Sequence, residues 1–92
     1  MIDESVDEPT AEKVLRAFED ERFTWRTVRG VAAQAGASAA QVLAVIKARR
    51  SDFVRSSGTN ERGEDLYATR RHFEARQPTW KRFLGALKNR AD

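Results

Sequence analysis

Seven cations stand where phosphate could be held: Arg26, Arg29, Lys47, Arg49, Arg50, Arg55 and Arg62. A side chain that neutralises a backbone phosphate releases counterions, so such a set gives affinity that falls with salt and carries little sequence choice. The competing arrangement pairs some of these arginines with Glu19, Asp20, Glu21, Asp52 or Glu64, worth about 0–1 kcal/mol for each exposed pair. Other chemistry-bearing residues point away from catalysis. His72 is the single histidine. It lies in Arg70-Arg71-His72-Phe73, away from any serine or carboxylate at triad or metal-ligand spacing, and reads as a solvated surface residue. Glu19-Asp20-Glu21 are consecutive acids at a helix end, pointing in different directions rather than converging as a catalytic pair. Gly58 and Gly63 flank a loop without the lysine and following serine or threonine of a phosphate-binding loop. The chain has no cysteine, which excludes thiolate metal sites and a cysteine nucleophile. The expectation is a protein that is not an enzyme and uses neither metal nor cofactor.

Holding such a set of cations is work for one small domain. The 92 residues are 40% hydrophobic and 34% charged, enough for a thin, mostly helical core. The net charge of +3 conceals an asymmetry: residues 1–23 carry eight acids against three bases, and residues 24–92 carry fourteen bases against six acids. A basic body suits a polyanionic partner, although an ordinary solvated surface has the same composition. The acidic start and the absence of a long apolar run lead to the expectation of a cytoplasmic protein that neither carries a secretory signal nor enters a membrane.

Residues 1–9 lack periodicity and end at Pro9, and read as a disordered acidic leader. Thr10 is the expected N-cap of a helix from Ala11 to about Arg22, with Val14, Leu15 and Phe18 on its inner face. Residues 23–27 alternate aromatic and polar side chains, which predicts a short strand with Trp25 facing the core. Thr27 should cap a two-turn helix that ends at Gly36. Ser38 with Gln41 forms a capping-box pattern that opens a helix running to about Arg50. Two β-like runs, 53–56 and 64–68, flank a turn-rich loop and predict a hairpin with a mobile tip. Thr69 can cap a short helix through Gln77. After Pro78 an amphipathic helix carries Trp80, Phe83, Leu84 and Leu87 on one stripe.

This order of elements resembles the winged helix-turn-helix family over about residues 10–77. Ala32 matches the family's small residue in the first motif helix, and Gly36 matches its turn glycine. Val31, Ala35, Val42 and Val45 match its buried positions. The resemblance implies a mainly α fold with a small hairpin or three-stranded sheet, the hairpin serving as a wing and the region of Trp25 as third strand. It also implies double-stranded DNA as partner and a role like that of a transcription regulator, with the helix 38–50 near the major groove. Gln41 and Lys47 would then probe bases, Ser38 a phosphate, and Arg26, Arg29, Arg49, Arg50, Arg55 and Arg62 the backbone. The outward side of that helix reads as mostly alanine, opposite Val42, Leu43, Val45 and Ile46, which departs from a typical reading face. An adaptor or dimerisation module that docks protein is therefore the alternative. Residues 78–92, through Trp80, Phe83, Leu84 and Leu87, could pack on the domain, form a homodimer seam or lie on a membrane surface.

Overall fold

The structure, a computed structural model, describes residues 6–76. Helix α1 spans Glu8–Phe18, α2 Val28–Ala35 and α3 Ala39–Ala48. A single 3-10 turn at Arg50–Asp52 leads into strand β1, Phe53–Thr59, then β2, Asp65–Thr69, and helix α4, Arg70–Ala75.

Helix α1 starts earlier than the apolar period suggests. Its N-cap is Asp7 rather than Thr10, and Pro9 falls within its first turn, where a missing N–H costs nothing because that donor has no helical partner. Residues 8 and 9, read as leader, therefore belong to the helix, and Val6 packs against the core. The helix also stops four residues short of Arg22. The caps of the later helices follow the sequence closely. Thr27 accepts a hydrogen bond from the Gly30 amide, and Ser38 and Gln41 exchange both bonds of a capping box. Thr69 accepts from the His72 amide.

Gly36 ends α2 with φ of 68°, the left-handed conformation that a Cβ disfavours. Helices α2 and α3 thereby turn through 108° about each other, within the range of helix-turn-helix pairs. Open space surrounds the position where a Cβ would stand, so Gly36→Ala should cost stability through backbone strain alone. About 1 kcal/mol is expected in urea unfolding, and Gly58→Ala, whose φ is not positive, should cost less.

The core lies between the three longer helices and the hairpin. Val14, Phe18, Val31 and Val42 are fully buried, joined by Ala11, Ala17, Ala32, Val45 and Phe53. The Phe18 and Phe53 rings meet edge to face with centroids 4.9 Å apart, tying α1 to the hairpin. Each such burial contributes about 1.5–3 kcal/mol.

The sheet has two antiparallel strands, in register Phe53 with Thr69, Val54 with Ala68 and Arg55 with Tyr67, and an irregularity before Thr59 pairs with Asp65. The expected third strand shrinks to one bridge, Arg26 with Tyr67, closed by backbone bonds of 2.9 and 2.8 Å. The reason is local: Thr27 already caps α2, leaving a single extended residue to pair. Trp25 is half-buried and lies beside Phe73 of α4, 5.2 Å between centroids, rather than in the main core. Trp80, Phe83, Leu84 and Leu87, with the rest of the expected final helix, lie outside the described residues, as do residues 1–5. Among the described residues no single helix is long and apolar enough to cross a membrane.

Candidate functional site

Helix α3 owes its placement to Val42 and Val45, which are buried against α1 and α2. Successive residues turn by about 100°, so the outward side carries Ala40, Leu43 and Lys47, with Ala39, Gln41 and Ala48 at its margins. All six are exposed. Leu43, expected on the inner side, is 45% exposed. Burial centres between Val42 and Val45, which leaves Leu43 roughly 130° away. The outward side is therefore smooth, apolar at its middle and cationic at its C-terminal end.

The capping box engages two of the expected contacts. The Ser38 Oγ accepts from the Gln41 amide at 3.0 Å, and Gln41 Oε1 accepts from the Ser38 amide at 2.9 Å. The box leaves the Gln41 NH2 and the Ser38 hydroxyl proton unused, while Gln41 Oε1 is turned to the Ser38 amide and keeps one lone pair.

The seven cations divide into three groups. Arg26 is 9% exposed. Its Nη1 donates to the Ala17 carbonyl at 2.8 Å and to Gln34 Oε1, and its guanidinium lies 4.2 Å from the Phe23 ring centre. Burial pushes its pKa down, with the Asp20 charge opposing that shift. It joins the end of α1 to α2, and its guanidinium is engaged inside the fold rather than presented on the surface with the other cations. Arg29 is paired with Glu64 through two bonds of 2.9 and 3.1 Å. Glu64 also accepts from Asn60 Nδ2 at 2.9 Å. The Arg29 bond first, then that of Asn60, holds the Glu64 carboxyl down to about 2. Asn60 Oδ1 in turn accepts from the Arg62 and Glu64 amides. The hairpin tip expected to be mobile is thus tied to the start of α2.

The remaining cations are Lys47, Arg49 and Arg50 at the end of α3 and Arg55 and Arg62 on the hairpin, all exposed. Arg55 stands 3.8 Å from Asp65, with both side chains more than half exposed, a contact of little weight. Among the described residues Arg49, Arg50 and Arg62 have no ion pair. Lys47, Arg49 and Arg50 line a groove with Val6 and Glu8 of the α1 end. Three of the five cations thus gather at the end of α3, and two stand on the hairpin.

Sequence reasoning missed the contacts of His72. It is buried rather than solvated, with Nε2 2.7 Å from the Phe23 carbonyl. The residue opens α4 against the loop after α1, and its lone position gave no local signal of that role. Next to it Glu19 takes bonds from Arg71 at 2.7 and 3.1 Å and from the Thr69 hydroxyl at 2.9 Å. Arg71 chiefly, aided by Thr69 and opposed by partial burial, holds the Glu19 carboxyl below its ordinary 4.5. A depressed carboxylate stabilises the fold above its unfolded value, and that contribution is lost as pH falls through the folded value. Urea unfolding should therefore show stability declining below about pH 4.5, less steeply in Glu19→Gln than in the parent chain. An equal decline in both would remove Glu19 from the acid response. Phe23 is 38% exposed, with Arg22 and Arg26 both close to its ring. Among the described residues no group of three His, Asp or Glu could hold a metal ion. Comparison with known proteins returns no matching family model, curated protein or solved structure.

Proposed function

We propose that the chain is a winged helix-turn-helix domain that binds double-stranded DNA mainly through the backbone, with weak choice of sequence. The observation that carries the reading is the 108° turn between α2 and α3 about Gly36. It leaves the outward side of α3 uncovered, and the hairpin is clamped to α2 by Arg29 and Glu64. In this reading α3 enters the major groove, where Ala40 and Leu43 can touch thymine methyl groups. Arg49, Arg50, Arg55 and Arg62 hold phosphates, and Lys47 adds charge at the groove edge. Ser38 and Gln41 chiefly build the helix start, and Arg26 and Arg29 chiefly position the elements. The set supplies affinity with few base contacts, which predicts modest discrimination between sequences.

Titrating the 15N-labelled chain with a mixed-sequence duplex at low salt tests the proposal. Amide shifts should concentrate at residues 38–50 and 55–64 and spare the inner face of α1. Leu43 favours a second reading, because a leucine nearly half exposed amid alanines also suits the apolar face of another protein's helix. Absence of shifts with duplex would move the assignment to that second reading.

A further inference from the structure

The groove between the first turns of α1 and the end of α3 has a volume of about 530 Å3, within the roughly 300–1,000 Å3 of small-molecule sites. Its lining combines two chemistries. Ala11 and Val45 are buried in it, and Ala44 and Ala48 follow one turn apart on α3, so much of the wall is methyl groups with no long side chain among them. Arg49 and Arg50 line it directly after α3, exposed and without an ion pair among the described residues. From the α1 side Glu8 adds one negative charge. A phosphate gains nothing from the methyl wall, and an uncharged apolar molecule gains nothing from the guanidinium groups. The combination fits a molecule that has both parts, and Glu8 disfavours a second anionic group at the far end. A guanidinium fork matches the two oxygens of a carboxylate.

We propose that this groove binds a small apolar monocarboxylate, its body against Ala11, Ala44, Val45 and Ala48 and its carboxylate at Arg49 and Arg50. Burial of the body supplies most of the affinity, and the exposed arginines select the charged end. The same two arginines hold phosphate in the DNA-binding reading, so an occupied groove competes with duplex. The competition rests on that reading; the groove site itself does not.

The test titrates the 15N-labelled full chain, without DNA, with 2-naphthoate and with its neutral counterpart 2-naphthamide. Naphthoate should shift the amides of Ala11, Ala44 and Ala48 and the side-chain NεH signals of Arg49 and Arg50, and bind about fivefold tighter than naphthamide. Arg49→Ala/Arg50→Ala should abolish that preference and leave naphthamide binding unchanged. Ala48→Phe, at an exposed position, fills the groove and should weaken both probes about fivefold or more while the arginines remain. Absence of shifts, or shifts centred on Ala40 and Leu43, would overturn the groove site. Equal affinity for the two probes would overturn recognition of the carboxylate. With a fluorescent duplex, saturating naphthoate should weaken binding about threefold or more relative to acetate at equal concentration, which matches the ionic strength. Equal duplex affinities would overturn the competition. If the chain binds no duplex even without naphthoate, the DNA-binding reading fails together with the competition, and the naphthoate shifts alone decide the groove site.

Discussion

Replacing Arg26 by Ala should destabilise the fold by about 2–4 kcal/mol, a fall in Tm of roughly 10–20 °C for a domain of this size. The guanidinium donates to the Ala17 carbonyl near the end of α1 and to Gln34 on α2, and it lies against Phe23. Truncation leaves that carbonyl without its charged donor and opens space beneath Phe23 at once. Gly30 shows how closely the site is packed: a Cβ there would stand 3.3 Å from Arg26 Nη2 and 3.1 Å from Thr27 Oγ1. Arg55→Ala, at an exposed position on β1, should change stability by no more than about 0.5 kcal/mol. Thermal unfolding followed by circular dichroism separates the two, and equal Tm values would contradict the internal role of Arg26. At temperatures where the Arg26 variant remains folded, the salt slope of duplex binding should match that of the parent. A residue that neutralised phosphate would lower it by about 0.9.

Arg49→Ala/Arg50→Ala should weaken duplex binding roughly tenfold or more at 0.1 M salt and lower the slope of log affinity against log salt by about 2. Neither side chain has an ion pair among the described residues, and both are exposed at the end of α3, so stability should hold within about 0.5 kcal/mol. An unchanged slope would remove this end of the helix from the interface and leave the hairpin cations to carry the charge. Arg29 offers a contrast. Its guanidinium is taken by Glu64, so its loss should loosen the hairpin rather than subtract a phosphate contact.

The features legible in the sequence were those set by neighbouring residues. Thr27, Gly36, Ser38 with Gln41, and Thr69 announce helix ends within a four-residue window, and the structure places caps at each. The hairpin follows from its two β-like runs around turn residues. Misread features depend on partners far along the chain. Arg26 looks like any surface arginine until α1 and α2 converge on it, and His72 gains its partner from Phe23, 49 residues away. The pairing of Arg29 with Glu64 spans 35 residues; the sequence offered Glu64 among several acids without selecting it. Leu43 was misplaced for another reason, because a helix with four large apolar residues in five positions does not reveal which two face the core. Two of the seven cations, Arg26 and Arg29, are thus engaged within the fold, while the helix start at Ser38 stood where the capping pattern put it.

The central claim is that α3 and the hairpin bind duplex DNA through backbone charge. Its most direct test is a fluorescence-anisotropy titration of a mixed-sequence duplex with the full chain at three salt concentrations. The account predicts micromolar or tighter binding at low salt, weakening with a log–log slope of about −3 to −5 as four or five cations release counterions. Absence of binding at the lowest salt, or affinity indifferent to salt, would contradict it.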